Sequence, residues 1–295
     1  MKIGLVLGGG GARGAYQIGV WQAFKELDID KYIKVIAGTS IGALNGILIK
    51  QGDIKIAGKL WNEITKEKIL PTDNKDLIKK SALINIGSRN LNLIKKYMPN
   101  IVDGGDVSRS GLLDIFDQYI DFEKLKSDDI DLYVTCTEIP KLEAAYFKIN
   151  NSSEEDMRKM LLATSAIPMI YKSEEINGKR YLDGGMVDNL PIQPVYGEGC
   201  DLIIVVPLAK DYVIDRNLYP NTDIIEIRPS LMEEGFIDGA LEFTKDNSLR
   251  RMKLGYEDTI AQLSPIFKLA NFIRDNKPKE DKGLFKIFKD KFFNK

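Results

Sequence analysis

The stretch KVIAGTSIGALNG (34–46) passes from a short apolar run through a glycine-flanked serine into a helical pattern. The run KVIA is typical of a buried strand, and ALNGILIKQG (43–52) is typical of a helix. Ser40 stands at the turn between them, with Gly38 and Gly42 on either side. Many hydrolases present a nucleophilic serine on such a strained strand-to-helix turn, where small neighbours allow close packing. The alternative is that Ser40 only caps the helix that follows.

The rest of the chain alternates short β-branched runs with helical patterns. Strands are predicted at 2–7, 34–37, 131–139, 144–149, 180–182, 201–208 and 223–229, and helices at 15–27, 43–52, 154–164 and about 236–263. This alternation predicts an α/β fold of three layers, in which helices cover both faces of a mainly parallel central sheet. We expect one domain over 1–264, with 69–110 as a helical cap or lid region and 265–295 as a C-terminal helical tail.

The composition excludes several classes of protein. Lys and Arg total 42 against 43 Asp and Glu, so the net charge of −1 gives no field that favours nucleic acid. Cys136 and Cys200 lie in strand-like runs and are expected to be buried and reduced. With no histidine, an ordinary zinc site is not expected, and we predict neither metal nor cofactor. The N-terminus does not resemble a signal peptide and no run reaches the roughly 20 apolar residues of a spanning helix, which predicts a cytoplasmic protein.

A glycine run, GGGGARG (8–14), follows the first predicted strand and precedes a helix. Gly9, Gly11 and Gly14 fit a dinucleotide-binding fingerprint, but that motif also requires a carboxylate at the end of the second strand, and none is present. The other use of such a run is an oxyanion hole, in which backbone amides stabilise the charge that develops during acyl transfer. The neighbouring serine turn favours the second use.

Without histidine, another group must accept the proton of Ser40. Asp183, in KRYLDGGMVDNLP (179–191), follows a short predicted strand, and Gly184 and Gly185 after it leave room for a close backbone approach. A partly desolvated carboxylate within hydrogen-bond reach can act as a general base. The alternative is that the motif is a plain turn. We therefore expect a dyad of Ser40 and Asp183.

Four motifs in chain order resemble the patatin-like phospholipase family. They are GGGGARG (8–14), GTSIG (38–42), ATSAIPMIY (163–171) and DGGMVDNLP (183–191). The resemblance covers about residues 2–230 and implies that Ser40 is the nucleophile and Asp183 the proton acceptor. It also implies an oxyanion hole made by the backbone amides of Gly8, Gly9, Gly10 and Gly11. Members of this family hydrolyse acyl esters of lipids without a metal ion or histidine.

Supporting residues follow from the same resemblance. Asn189 and Pro191 match the family pattern after the dyad aspartate and are expected to position that loop. Arg13 and Gly14 complete the glycine motif. Arg13 either contacts an acyl or phosphate oxygen or is an ordinary surface arginine at a helix start.

The expected function is hydrolysis of acyl esters of phospholipids or lysophospholipids, with a lipid- or acyl-chain-binding protein of weak or lost catalysis as the alternative. The last residues, GLFKIFKDKFFNK (283–295), form a basic amphipathic pattern, with Leu284, Phe285, Phe288 and Phe292 on one side. Such a helix fits either the inner membrane surface or an apolar site on its own domain or a second subunit. The expected partner is a lipid acyl ester, not nucleic acid.

Overall fold

A sheet of eight strands forms the centre of the protein in a computed structural model that describes residues 2–71, 103–127, 129–209, 212–232, 235 and 239–276. Its strands are β1 (Ile3–Leu7), β2 (Ile33–Thr39), β3 (Asp131–Ile139), β4 (Glu143–Lys148), β5 (Glu174–Ile176), β6 (Lys179–Asp183), β7 (Leu202–Val206) and β8 (Asp223–Glu226). Most of the expected cap, 69–110, and all of the tail pattern at 283–295 lie outside the described residues.

The described helices alternate with these strands. They are α1 (Ala15–Glu26), α2 (Ile41–Gln51), α3 (Ile54–Glu63), α4 (Lys66–Ile69), α5 (Ser110–Tyr119), α6 (Phe122–Leu125), α7 (Glu154–Thr164), α8 (Ile192–Gly197) and α9 (Lys245–Asp275). The last helix begins later than the expected residue 236, because the hydroxyl of Thr244 caps it by accepting from the amide of Asn247. It continues past the expected domain boundary at 264/265, which stays a prediction.

The strands β3, β2, β1, β7 and β8 run parallel to their neighbours in that order. The strands β4 and β6 pair antiparallel with β3, and β5 pairs antiparallel with β6. The helices α1, α2 and α9 cover one face, and α8 lies against β1, β2 and β7 on the other. The predicted three-layer α/β fold with a mainly parallel sheet is therefore confirmed.

Both faces of the parallel strands are buried, as such a sheet requires. In β1, Leu5 and Leu7 belong to the core beneath α1 and α2, whereas Val6 belongs to the core beneath α8. Cys136 and Cys200 are free and buried, as expected from their strand-like surroundings. Within the described residues, no helix is both long enough and apolar enough to cross a bilayer.

The strand β3 brings two distant parts of the chain together. Residues 133–135 pair with both β2 and β4, and residues 136–138 pair with both β4 and β6. Since a strand has only two edges, β2 and β6 must lie end to end along the same edge of β3. Thr39, the last residue of β2, pairs with Thr135, and Asp183, the last residue of β6, pairs with Cys136. The residue after β2, Ser40, therefore meets Asp183.

Candidate active site

Ser40 sits at the junction of β2 and α2 in a strained backbone conformation, with φ 55° and ψ −124°. Such a positive φ is rare for a residue with a side chain and is typical of the nucleophile turn of hydrolases. The flanking glycines allow close packing here. A Cβ at Gly42 would lie 2.2 Å from the carbonyl oxygen of Leu7, and one at Gly38 would lie 2.5 Å from the amide nitrogen of Ala43.

Thr164, the last residue of α7, holds the serine turn from below. Its Oγ1 accepts a hydrogen bond from the amide of Ser40 (2.8 Å) and donates one to the carbonyl of Thr135 (2.6 Å). This bridge fixes the turn to β3 and leaves the Ser40 amide unavailable to a substrate. Thr164 belongs to the block ATSAIPMIY, but no role was predicted for it; a hydroxyl after the apolar residues at the end of the helix was the available signal.

The side chain of Ser40 interacts with the carboxylate of Asp183, and this interaction lowers the pKa of the carboxyl group. Asp183 is buried, with only 7% of the residue exposed, and its Oδ1 accepts from the amide of Gly185 (2.8 Å). The adjacent glycine is required by space, since a Cβ at Gly184 would lie 2.5 Å from the carbonyl oxygen of Thr135. The structure therefore brings Ser40, Asp183 and both glycines of the expected base motif together.

Burial governs the acidity of this carboxyl group. It raises the pKa of Asp183 from 3.8 to about 6, while the interactions with Ser40 and Gly185 act in the opposite direction. No ion pair is recorded for Asp183 with any residue that the structure describes. A carboxylate with a pKa near 6 is still ionised at neutral pH and is a stronger base than an exposed aspartate.

The glycine loop runs beside Ser40 and is clamped by Asn189. The amide of Gly9 donates to the carbonyl of Asn189 (3.4 Å), and the carbonyl of Gly9 accepts from the side-chain amide of the same residue (3.2 Å). A Cβ at Gly9 would lie 3.3 Å from Cβ of Ser40. Because a trans peptide places its carbonyl and amide on opposite sides, this clamp turns the amide of Gly10 away from Asn189.

The amide of Gly11 is fixed in the same way, because the carbonyl of Gly10 accepts from the amide of Arg13 (3.3 Å). The first two glycines of the run differ. The amide of Gly8 donates to Val206 (3.2 Å), and that of Gly9 is used by the clamp. Of the four expected oxyanion donors, only Gly10 and Gly11 have amides with no acceptor recorded in the described part of the chain.

A buried amide network supports both ends of this loop from the interior. Gln17 donates to the carbonyl of Gly8 (2.9 Å), and Asn45 donates to the carbonyl of Gly14 (2.9 Å) and to Oε1 of Gln17 (2.8 Å). The indole of Trp61 donates to Oδ1 of Asn45 (3.0 Å). All three side chains are buried and mutually satisfied. Sequence analysis missed them, although Gln17 and Asn45 interrupt apolar helical patterns.

Arg13 is half-buried and points to the end of β7, where its Nη1 donates to the carbonyl of Leu208 (3.0 Å). This contact ties the glycine loop to the neighbouring strand. Gly11 needs to be glycine for two reasons: its φ is +58°, and a Cβ would lie 2.1 Å from the carbonyl oxygen of Ala240. Pro191 precedes the first turn of α8.

Comparison with known proteins places the chain in a family. Residues 5–196 match the family described as patatin-like phospholipase. An uncharacterized NTE family protein of Mycobacterium tuberculosis is 27% identical over 70% of this chain and 49% of its own length. Lysophospholipase NTE1 of Saccharomyces cerevisiae is 31% identical over 70% of this chain and 11% of its own length.

This chain therefore spans about half the length of the mycobacterial relative and a small part of the yeast one. Among solved structures, VipD from Legionella pneumophila aligns with a TM-score of 0.53 at 17% identity, over 90% of this chain and 67% of that one. That likeness is one of fold. The match over 5–196 covers most of the chain, and the protein belongs to the patatin-like phospholipase family.

Proposed function

We propose that this chain hydrolyses carboxylic esters of lipids, as a phospholipase A or lysophospholipase, through Ser40 and Asp183. The observation that carries the proposal is that a serine on a strained turn meets a buried carboxylate, because β2 and β6 end at adjacent residues of β3 and the two side chains interact. Family membership supports the reaction class, and the lysophospholipase name of the yeast relative supports the substrate class. A bound lipid ester would place its carbonyl carbon at Oγ of Ser40 and its carbonyl oxygen toward the amides of Gly10 and Gly11.

In the first half of the reaction, Oγ of Ser40 attacks the ester carbonyl and its proton passes to Asp183. The carboxylate is too weak a base to form free alkoxide, so proton transfer accompanies formation of the new C–O bond. The negative charge on the former carbonyl oxygen is stabilised by the two glycine amides, each worth about 3 kcal/mol or more when well placed. The intermediate then collapses, and Asp183 returns the proton to the departing alcohol.

In the second half, water replaces the alcohol. Asp183 takes a proton from the water as its oxygen attacks the acyl-enzyme, and the same amides stabilise the second intermediate. When this intermediate collapses, the bond between the acyl carbon and Oγ of Ser40 breaks, Asp183 gives its proton to Oγ, and the fatty acid is released.

The pH dependence follows from the raised pKa of Asp183. The base is active when ionised, so kcat/KM should rise as pH increases through about 6 and then level off. A pH–rate profile on a soluble ester measures this. A flat profile between pH 4 and 8 would contradict the role of Asp183.

The direct test compares Ser40→Ala and Asp183→Asn with the matched control Asp188→Asn, which changes a half-buried carboxylate on the same loop. On a chromogenic short-chain ester, both dyad variants should lose about a thousandfold or more in kcat, whereas the control keeps most of its activity. Near-normal turnover of either dyad variant would refute the dyad.

A fluorophosphonate probe distinguishes the alternative of a lipid-binding protein with lost catalysis. Under the proposal, the probe labels the native protein at Ser40 and fails to label Ser40→Ala. An unlabelled native protein that still binds lipid would favour the alternative.

Two further expectations stay predictions. A cytoplasmic location is one, and a contact of 283–295 with the inner membrane surface is the other, since those residues lie outside the described part of the chain.

A further inference from the structure

The last third of α9 projects from the body of the protein. Leu263, at 4% exposure, is the last buried residue of this helix, and no residue from Ser264 to Asn276 is buried. Large apolar side chains are nevertheless concentrated here: Ile266 (57% exposed), Phe267 (39%), Leu269 (55%) and Phe272 (65%). Large apolar side chains left exposed in this number within two turns indicate a site of contact with a partner or a membrane.

The helix leaves the body at the edge of the sheet that carries Ser40. It packs antiparallel to α1, because Met252 lies against Gly19 whereas Gly255, further along α9, lies against Tyr16 near the start of α1. The start of α1 follows the carboxyl end of β1, beside the glycine loop. The chain direction of α9 is therefore toward the carboxyl edge of the parallel strands.

Hydrogen bonds near the point of exit place it at the same edge. Asp258 accepts from the hydroxyl of Tyr16 (3.1 Å) and from the amide of Ser230 (2.8 Å), and Gln262 donates to the carbonyl of Arg228 (3.5 Å). Arg228 and Ser230 follow the carboxyl end of β8, which is parallel to β7. The exposed segment thus extends about 18 Å beyond the edge where a substrate would reach Ser40.

The pattern of this segment is amphipathic. Apolar side chains recur with helical spacing at Ile266, Leu269, Ala270 and Ile273, and polar ones occupy the opposite side at Lys268, Asn271 and Asp275. Phe267 and Phe272 lie between the two sides, one at each border. The sequence that follows, 277–295, contains seven lysines against three acidic residues, a net charge of +4. Apolar anchors joined to excess positive charge match an anionic bilayer, whereas two copies of the same basic region would repel each other.

We propose that the exposed side of α9 from Ser264 to Asn276, here called the α9 face, docks the protein on an anionic lipid bilayer. This proposal rests on the proposed function, because docking at this edge has a purpose only if Ser40 and Asp183, at the same edge, act on a lipid ester. A docked α9 face would hold the carboxyl edge of the sheet close to the lipid that contains the ester.

The test uses the full chain with Ile266→Gln and Leu269→Gln combined, and Leu218→Gln as control. Leu218 is similarly exposed (63%) but lies near the amino end of β8, away from the α9 face. Its neighbour Arg216 donates a hydrogen bond there to the carbonyl of Ile224. Co-sedimentation is measured with vesicles of phosphatidylcholine alone and with added phosphatidylglycerol. The double variant should lose about tenfold or more in binding to the anionic vesicles, and the control should match the native protein.

Three further measurements make the outcome decisive. The melting temperature should be unchanged, because the altered side chains are exposed; a clear drop would show that the protein's own chain covers them and would overturn the proposal. Loss of a dimer in the double variant would overturn it in favour of a second copy. Equal binding of double variant and native protein, or no binding by the native protein, would also overturn it.

Turnover of a soluble short-chain ester separates this proposal from the proposed function. The double variant should keep that activity, because it leaves the dyad intact. Ser40→Ala should lose the activity but bind vesicles like the native protein. An active Ser40→Ala protein would refute the dyad and leave the docking result to stand on its own.

Discussion

Two strand-to-helix junctions lie side by side at the carboxyl edge of the sheet, and they expose different groups: one a side chain, the other backbone amides. The β2–α2 junction presents a side chain: Ser40 is held in a strained conformation, and its own amide is used internally by Thr164. The β1–α1 junction presents the main chain: its carbonyls are held internally, and the amides of Gly10 and Gly11 have no recorded acceptor among the described residues. At each junction a neighbouring side chain holds the backbone group that is not exposed: Thr164 holds the amide of Ser40, and Asn189 holds the carbonyl of Gly9.

Among changes to the supporting contacts of the two junctions, the largest loss of activity is expected at Asn189. Asn189→Ala removes the donor to the carbonyl of Gly9, so the adjoining amide of Gly10 loses its fixed direction. We expect kcat on a soluble ester to fall about a hundredfold, with KM within about twofold, because the amide acts on the developing charge. Asn189→Asp, which keeps the shape but not the donor, should be equally impaired. A rise in KM alone would show that Asn189 contacts the substrate instead.

The buried carboxylate beside the serine junction lowers the stability of the folded protein, and Asp183→Asn measures by how much. Burial raises the pKa of Asp183 from 3.8 to about 6, so the folded state disfavours the charged form. The native protein therefore loses stability as pH rises from about 4 to 6, and the inactive variant should be more stable at pH 8 by about 2–3 kcal/mol. Urea unfolding of both proteins at pH 8 and pH 4 measures this, and the difference should shrink at the lower pH. A less stable variant at pH 8 would contradict the assignment.

A smaller effect is expected at Thr164, the internal partner of the serine turn. Thr164→Val keeps the shape but leaves the amide of Ser40 and the carbonyl of Thr135 without their partner. We expect about a tenfold loss in kcat/KM, because the serine turn is no longer fixed to β3 and its hydroxyl is less well placed to attack. Thr164→Ser should restore the rate. Equal loss in both variants would point to the methyl group rather than the hydroxyl.

The smallest effect tests how far support of the glycine loop extends. Trp61→Phe removes the indole donor to Asn45, two hydrogen bonds away from the carbonyl of Gly8. We expect a loss of about 1 kcal/mol in the free energy of unfolding and less than about a threefold change in kcat. A drop in kcat as large as that of Asn189→Ala would mean that the network acts as one unit with the clamp.

Local patterns predicted the elements of this fold well. β3 at 131–139 and α7 at 154–164 were predicted to the residue, because β-branched runs and capped helical patterns are local signals. Several other elements were not predicted, among them the helices 54–63 and 110–119 and the three-residue strand 174–176. Both helices have an amphipathic pattern that could have shown them, whereas the strand is too short to show a period.

Only those parts of the candidate site that belong to short sequence motifs could be predicted. Ser40, Asp183 and the glycine run could be proposed from their turns, although the use of Gly8 within the sheet could not, because it depends on pairing with β7. The contacts among Gln17, Asn45 and Trp61 could not be predicted for a similar reason: periodicity can show that a polar side chain is buried, but not which other group it will contact.

The end-to-end arrangement of β2 and β6 along one edge of β3 has a consequence for how such a chain can change. The spacing between Ser40 and Asp183 is set by two adjacent residues of β3, Thr135 and Cys136, with which the ends of β2 and β6 pair. The loops and helices between them can then lengthen, shorten or be replaced without moving the reacting groups. Under the proposed function, selectivity for different substrates can vary in that intervening chain while Ser40 and Asp183 stay in place.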